Sequence, residues 1–302
     1  MAQQWFPLFK FIFIAGNNMI RDVLKPFSNT RNYVWWFQDI FLRSRQTAVP
    51  SCTLLLVSFI RNEDRYLVHW LKHHFSLGVD HALLYLNEAD PICVQRIFAL
   101  LQDNGLQEKV SLIHWPDSFS FLLRKGSKHN KSRLLPVSQE LAFQHFKKYY
   151  GSQCEYYTKR DPDEYLFVED ESKTLKDFLG FEGNAAVMGY NFGSKDALDT
   201  ELPVTERFFF RESTPRHKKS IAHSATSYEH FNAHIAFSKY NPKIQGLRLH
   251  HYGVKTWDEY QNKIHKSGYM VGDYSEKEFD TLNAQRTTRD TFVLIPRPLG
   301  KH

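Results

Sequence analysis

The sequence predicts an α/β fold in which a mixed, mainly parallel sheet is flanked by helices. Residues 53–60, TLLLVSFI, form a nearly continuous apolar run of strand length, as expected for a strand buried on both faces. Further apolar runs follow at residues 81–86 and 110–115, and segments of helical length separate the three runs. Strands that alternate with helices indicate βαβ units, and 302 residues give ample material for a core.

The two intervening segments carry helix boundaries as well as helix periodicity. The first has an apolar face and stops at Gly78, while the second opens at Pro91 and ends at Gly105. The face of the first helix is formed by Tyr66, Leu67, Trp70, Leu71, His74 and Phe75. Further along, residues 185–192 predict another strand, and residues 256–259 have the S/T-x-x-E form of a capping box that starts a helix.

Composition excludes several functional classes. Contents of 42% hydrophobic and 24% charged residues are ordinary for a soluble globular protein, while 15% aromatic residues is high. The three widely spaced cysteines favour free thiols in a reducing compartment, so we expect a cytoplasmic protein. Nucleic acid is not an expected partner, because the net charge of +6 is modest and no basic run adjoins an aromatic stacking platform.

Residues 1–48 differ from the rest and are expected to form a basic, aromatic extension. Six basic and two acidic side chains give this segment a net charge of +4. Its apolar stretch at residues 5–15 is too short to span a bilayer. Two interpretations are open: the segment rests on an anionic membrane surface at the inner face, or it packs as a helical extension on the domain that follows.

Two carboxylates separated by one residue stand next to an apolar run, at Asp161 and Asp163. Hard cations such as Mn²⁺ and Mg²⁺ prefer oxygen ligands, and a cation held by one or two carboxylates keeps positions open for phosphate oxygens. This arrangement suits a diphosphate leaving group. The alternative is an acidic turn that is simply solvated.

Polar side chains also follow the first two predicted strands. They are Arg61, Asn62, Glu63, Asn87 and Asp90. Ligands of open α/β sheets bind beyond the carboxyl ends of the strands, so these residues are expected at a binding cleft. Asp90 has a second interpretation, because an aspartate before Pro91 also caps a helix.

Ordered blocks of residues across about 53–268 resemble glycosyltransferase family 92 and the family 2-like enzymes. The blocks are Arg61-Asn62-Glu63, Tyr66-Leu67, Trp70, His74, residues 78–81, Tyr85, Asn87, residues 161–166, residues 175–179, residues 192–194, residues 206–208, residues 219–221, His251-Tyr252, Lys255-Thr256, Glu259-Tyr260 and Lys263. The resemblance implies a GT-A fold with a Rossmann-like nucleotide-binding half. It also implies transfer of a sugar from a nucleotide-sugar donor to a glycan or glycolipid acceptor, with Mn²⁺ or Mg²⁺ as cofactor.

The resemblance also assigns roles to residues. Arg61, Asn62 and Glu63 would lie near the donor nucleotide, with Asn87 and Asp90 in the same cleft. Asp161 and Asp163 would hold the metal and the diphosphate, and His251 would complete the metal site, although a histidine in a strand is more often a core group. An inverting enzyme needs a carboxylate base for the acceptor hydroxyl, and Asp196 and Glu206 are the candidates.

The chain departs from the family pattern at three places. His69 replaces an acidic residue, Ala89 replaces a serine, and residues 158–160, Thr-Lys-Arg, replace the apolar end of a strand. Two interpretations are open: Lys159 and Arg160 pair with phosphate, or the strand is short and the carboxylates that follow are salt-bridged. The second outcome would favour a non-catalytic nucleotide- or carbohydrate-binding protein on the same fold.

One further basic segment and the domain limits complete the expectations. Residues 124–133 carry five cations without periodicity, which indicates a solvated loop, a site for a phosphorylated acceptor or contact with an anionic membrane. A metal-dependent phosphotransferase is disfavoured because the G-x-x-x-x-G-K-[ST] loop is absent. We expect an extension at 1–48, a GT-A domain at 49–270 and a tail at 271–302.

Overall fold

A computed structural model describes residues 47–116, 134–194, 197, 201–229, 232, 234–267 and 275–290. Residues 46–302 fall into one compact unit, and residues 1–45 are assigned to a separate unit. Residues 1–45 and the basic run at 124–133 lie outside the described residues, so the expectations for them stay predictions. In the part of the chain that the structure describes, no helix is both long and apolar enough to cross a membrane.

The described elements follow the alternation that the sequence predicts. The strands are β1 (Cys52–Ile60), β2 (His81–Leu86), β3 (Val110–His114), β4 (Cys154–Lys159), β5 (Glu164–Val168), β6 (Asn184–Gly193), β7 (Phe210–Arg211), β8 (His217–His223), β9 (Ser227–Tyr228), β10 (Phe237–Ser238), β11 (Leu247–His251) and β12 (Thr288–Arg289). The helices are α1 (Asp64–Ser76), α2 (Ile92–Asp103), α3 (Leu134–Tyr150), α4 (Val204–Arg207), α5 (Trp257–Ser267) and α6 (Glu276–Ala284). Short 3₁₀ turns occupy Gln107–Lys109, Gly151–Gln153 and Leu175–Phe178.

Ten of these strands form one sheet, with a parallel part and a mixed part. The parallel part has the order β4-β1-β2-β3, as expected for βαβ units. Beyond β4 the order continues β8-β6-β7-β12, and β8 runs antiparallel to both β4 and β6. Strand β11 runs parallel to β6 and antiparallel to β5. The predicted α/β class with a mixed sheet flanked by helices is confirmed.

The core lies between the parallel strands and α1. All six residues of β2 are buried, and so are seven of the nine residues of β1, which explains their continuous apolar sequence. Trp70 of α1 is fully buried, and its indole nitrogen donates to the carbonyl of Glu164 at 2.8 Å. Trp70 is therefore a core residue that also fixes the start of β5.

Two histidines of α1 bind the edge of β5. Among the described strands, β5 pairs with β11 alone. His73 Nε2 donates to the carbonyl of Leu166 at 2.6 Å, and His74 Nε2 accepts from the Leu166 N–H at 3.3 Å. His74 Nδ1 donates to the carbonyl of Trp70, so this ring has the neutral tautomer that the contact with Leu166 requires.

Candidate functional site

A cavity of about 370 Å³ opens where β1 and β4 end. Its lining comes from the segment after β1, the segment between β4 and β5, the end of β11 and the start of α5. The lining residues are Phe59, Arg61, Asn62, Glu63, Arg65, Tyr66, Gln139, Asp161, Pro162, Asp163, His251, Lys255, Glu259 and Asn262. Residues far apart in the sequence thus meet beyond the carboxyl ends of two parallel neighbours, where an open α/β sheet places its ligands.

The cavity brings together six of the predicted site residues: Arg61, Asn62, Glu63, Asp161, Asp163 and His251. Asn87 and Asp90 are not part of its lining. Asn87 is 1% exposed, and its side-chain amide donates to the carbonyl of Trp115 at 2.9 Å. Asp90 is exposed and accepts from the backbone N–H of Ile92 at 2.9 Å. The helix-capping interpretation of Asp90 is therefore the one that the geometry supports.

The two candidate bases are not placed at the cavity. Asp196 lies outside the described residues. Glu206 is half-buried in the short helix α4 and is not among the lining residues. Their predicted role as proton acceptor stays a prediction.

Asp161 is bound by two side chains that come from other elements. The ammonium of Lys219, on β8, lies 2.7 Å from Asp161 Oδ2 and 3.0 Å from Glu164 Oε2. Gln139, on α3, donates to Asp161 Oδ1 at 3.0 Å. Glu164 also accepts from the backbone N–H of Asp161 at 3.1 Å, so it anchors the turn between β4 and β5.

Two members of this cluster are buried while the Asp161 side chain is 31% exposed, and their charges depend on one another. Lys219 is 1% exposed and Glu164 is 3% exposed. Burial raises the pKa of the Asp161 carboxyl, but the nearby Lys219 ammonium outweighs burial and holds that pKa below its ordinary value. For Glu164 burial prevails over the same ammonium, and the pKa is raised. Burial lowers the pKa of Lys219, but the two carboxylates outweigh it and raise that pKa.

Asp163 and His251 face each other in the cavity. His251 Nε2 lies 3.6 Å from Asp163 Oδ1. His251 Nδ1 lies 2.8 Å from the side-chain oxygen of Asn191, on β6. Since an amide oxygen only accepts, Nδ1 carries the proton, and Nε2 is the nitrogen that faces Asp163. The neighbouring His250 is fully buried and stacks on Phe167, so it is His250 that has the core role considered for His251.

These contacts test how well the cavity would hold the predicted cation. In the described part of the chain, no group of three or more His, Cys, Asp or Glu side chains is arranged to hold a metal ion. Both Asp161 oxygens already accept from Lys219 and Gln139. Asp163 Oδ1 and His251 Nε2 lie 3.6 Å apart, and two protein ligands suit Mg²⁺ or Mn²⁺ when phosphate oxygens and water complete the coordination.

His217 extends this polar cluster on the same strand as Lys219. Its ring lies 5.0 Å from that of His251, and its Nε2 is 4.0 Å from Glu164 Oε1. Burial, assisted by the neighbouring His251, lowers the pKa of His217 to about 4, so the ring is neutral near pH 7. A side-chain Cβ at Gly189 would lie 2.4 Å from His217 Nε2, so the glycine leaves the room that this ring occupies.

The opposite wall of the cavity is built around Glu259. Arg207 donates to both carboxylate oxygens, at 3.0 and 2.8 Å, and the Tyr66 hydroxyl donates at 2.5 Å. The backbone and side chain of Thr256 donate to the same carboxylate, which completes the predicted capping box of α5. The ammonium of Lys255 lies 3.9 Å from the centroid of the Tyr66 ring.

Lys159 and Arg160 do not line the cavity. Lys159 pairs with the buried Glu229, and Arg160 is fully buried, with one hydrogen bond to the carbonyl of Lys159. Neither cation reaches a phosphate site or neutralises Asp161 directly. The carboxylate of Asp161 is nevertheless salt-bridged, by Lys219.

Sequence reasoning missed several residues that line the cavity or contact its lining residues. Lys219, Lys255 and Glu259 belong to blocks that carry the family resemblance, but nothing in their spacing indicates a site. Gln139 and Asn191 stand in helix and strand patterns without any distinguishing motif. Only the tertiary contacts bring them to Asp161 and His251.

Fold and cavity define an α/β protein with an acidic candidate site at the ends of β1 and β4. The family model of glycosyltransferase family 92 matches residues 57–298. Because the match covers most of the chain, the protein belongs to glycosyltransferase family 92. The resemblance seen in the ordered sequence blocks is thereby confirmed.

Individual relatives add little about specificity. The chain is 25% identical over 283 residues to a glycosyltransferase family 92 protein of Oryza sativa subsp. japonica, covering 87% of this chain and 42% of that relative. The chain thus spans less than half of the relative's length.

Two solved structures are also similar. The first is HddC from Yersinia pseudotuberculosis, with 13% identity, a TM-score of 0.28 and coverage of 61% of this chain and 76% of that chain. The second is a putative glucose-1-phosphate thymidylyltransferase from Bacillus anthracis in complex with a sucrose. It has 10% identity, a TM-score of 0.26 and coverage of 80% of this chain and 99% of that chain. At such TM-scores neither likeness carries an argument about this chain.

Proposed function

We propose that this protein transfers a sugar from a nucleotide-sugar donor to a glycan or glycolipid acceptor, with Mn²⁺ or Mg²⁺ bound at Asp163 and His251. Family membership supports glycosyl transfer. The observation that carries the proposal is the single cavity that joins Arg61, Asn62 and Glu63 to Asp161, Asp163 and His251.

Within this proposal the chain's own residues have separate tasks. Asp163 and His251 hold the cation, and Asn191 orients the His251 ring through its hydrogen bond to Nδ1. Asp161 keeps its negative charge through Lys219 and fixes the turn that presents Asp163. When bound, the cation would supply positive charge to the diphosphate as it leaves. Asp196 and Glu206 stay the candidates for the base that takes the acceptor proton.

Asp161 also supports a second candidate function. Its carboxylate is bound by Lys219 and Gln139, so Asp161 is less suited to hold a metal than the motif alone suggests. A non-catalytic nucleotide- or carbohydrate-binding protein would need no more than the cavity itself. The two candidates differ in metal dependence and in turnover.

Calorimetric titration with a panel of nucleotide sugars, with and without Mn²⁺, tests the proposal. The wild-type chain is expected to bind one donor in a metal-dependent way, and Asp163→Asn is expected to lose that dependence. Asp103→Asn, in the exposed end of α2, is the matched control and should bind as the wild type does. Binding that ignores both metal and Asp163, with no transfer to any acceptor, would instead support the non-catalytic function.

A further inference from the structure

Two cavity residues share an unusual backbone. Among the described residues other than glycine, positive φ occurs at Asn62 (φ 54°) and Lys255 (φ 55°). Asparagine adopts this left-handed conformation comparatively easily, whereas lysine does not. Both residues line the same cavity. Backbone strain of this kind persists where the surrounding structure enforces it and is concentrated at functional sites.

The position of Lys255 follows from the segment that also presents His251. Strand β11 ends at His251, and four residues later Lys255 returns to the cavity before α5 begins. Gly253 permits the tight path between them, because a Cβ there would lie 2.8 Å from His251 Nε2. One short connection therefore delivers both the imidazole and the ammonium to a single site.

The Lys255 ammonium is held in place by packing. The residue is 5% exposed, and its ammonium lies 3.9 Å from the centroid of the Tyr66 ring. The Tyr66 hydroxyl is fixed in turn by Glu259. A cation over an aromatic face retains its charge and its capacity to donate hydrogen bonds. The cavity thus contains a preorganised ammonium group.

Cations and acids both line the cavity, and its acids include Glu63 and Asp163 as well as Asp161 and Glu259. Glu259 is neutralised by the buried Arg207, and Asp161 is neutralised by the buried Lys219. Arg61 and Arg65 add positive charge to the same wall, and the Arg65 side chain is 52% exposed. Lys255 differs from Arg65 in being buried, so its charge is less screened by solvent.

We propose that Lys255 binds the diphosphate of the donor in the cavity that Asp163 and His251 also line. This inference rests on the proposed function, since it names the ligand group that the same cavity takes. A lysine ammonium binds phosphate oxygens as a point charge with three donors. The left-handed backbone at Lys255 is the conformation that brings this ammonium to the cavity.

Calorimetry with inorganic pyrophosphate, uridine diphosphate and uridine monophosphate tests the inference. Lys255→Met is expected to weaken pyrophosphate and diphosphate binding by roughly tenfold or more, because a charged hydrogen bond is lost. Monophosphate binding should fall less, and Lys255→Arg should retain most of the affinity. Lys239→Met is the matched control, because Lys239 is an exposed lysine that also lies near an aromatic ring, that of Tyr240.

A glycine variant separates binding from folding. Lys255→Gly removes the ammonium and relaxes the positive φ, so it should be at least as stable as the wild type while losing the same pyrophosphate affinity. Wild-type pyrophosphate binding by both Lys255→Met and Lys255→Gly would overturn the inference, as would an equal loss in Lys239→Met. If pyrophosphate binding depends on Lys255 but no nucleotide sugar binds, the anion site stands and the proposed function fails. If a nucleotide sugar binds in a metal-dependent way and its affinity is unchanged in both variants, the proposed function stands and the role of Lys255 fails.

Discussion

Arg207 of α4 and Glu259 of α5 form a bidentate ion pair, although they are 52 positions apart in the sequence. Both side chains are buried, Arg207 with 1% and Glu259 with 7% exposure. The carboxylate partner of the pair, Glu259, lines the cavity together with Tyr66 and Lys255. It also shares its carboxylate with the cap of α5. One carboxylate therefore sets the position of a helix and of a cavity wall.

Glu259→Gln should destabilise the fold by about 3 kcal/mol near neutral pH, because it leaves the buried Arg207 guanidinium without its counterion. Chemical denaturation measures this change. Arg207→Met combined with Glu259→Gln should recover part of the loss, since the unpaired charge is gone. Glu276→Gln, at the exposed start of α6, provides the control and should change stability little.

The same pair predicts an acid-sensitive step in stability. Burial raises the pKa of Glu259, but the hydrogen bonds from Arg207, Tyr66 and Thr256 outweigh it and lower the pKa from 4.5 to about 2. The stabilisation that the Glu259 carboxylate contributes is complete above pH 4.5. It is lost as the pH falls towards 2, because Glu259 is protonated at a higher pH in the unfolded chain than in the folded protein. As the pH is lowered between these values, the free energy of unfolding should fall less for Glu259→Gln than for the wild type. Equal losses in the two proteins would contradict this assignment.

Lys219→Met should cost about 3 kcal/mol of stability at neutral pH, since two neighbouring carboxylates, Asp161 and Glu164, lose their shared counterion. The difference from wild type should shrink in acid, where protonation removes the repulsion between the carboxylates. Lys218→Met is a matched control on the adjacent, exposed position of β8. A destabilisation of the same size in Lys218→Met would show that the effect does not arise from the Asp161 cluster.

Asn191→Ala should weaken Mn²⁺ binding roughly tenfold, because a metal-bound histidine depends on the partner that orients its second nitrogen. The variant leaves both proposed ligands, Asp163 and His251, in place. Titration with Mn²⁺ followed by electron paramagnetic resonance measures the affinity without any substrate. Asn104→Ala, at the end of α2, serves as the control. Unchanged Mn²⁺ affinity in Asn191→Ala would exclude His251 as an oriented ligand.

Gly253→Ala should disturb the same ligand through space alone. The added Cβ would lie 2.8 Å from His251 Nε2, so the ring must move away from its place opposite Asp163. Mn²⁺ affinity is expected to fall severalfold while the fold is retained, as seen by circular dichroism. Gly151→Ala is the comparison, because the closest atom that its Cβ meets, at 3.2 Å, belongs to the flexible side chain of Lys147. Equal Mn²⁺ affinity in the two glycine variants would contradict the expected movement of His251.

Local patterns were enough to predict three of the four parallel strands, β1, β2 and β3. In β1 and β2 the buried residues are consecutive in the sequence, and α1 shows its apolar face at regular spacing. The position of Asp161 and Asp163 side by side was also predictable, because the two carboxylates stand within one short motif. The ion pair of Asp161 with Lys219 was not predictable. Lys219 reaches Asp161 because β8 runs antiparallel to β4 with Ile221 opposite Thr158, and sequence periodicity does not specify that register.

The general rule for strand ends was only partly sufficient. It led from β1 to Arg61, which lines the cavity, but it also selected Asn87 and Asp90 after β2, which do not. The cavity lies where β1 and β4 end, while the amide of Asn87 turns towards Trp115 at the start of the segment after β3. Which strand ends share a ligand site depends on strand order and side-chain direction, and both come from tertiary structure.

The contacts of His73 and His74 with Leu166 have a consequence for solubility. Exposed strand edges are templates on which another chain can add a strand. At Leu166 the N–H and the carbonyl are already satisfied by two imidazoles, so an incoming strand would have to displace side chains packed on a core helix. The segment that starts at Glu164 is thereby protected from intermolecular pairing at Leu166 by side chains instead of a further strand.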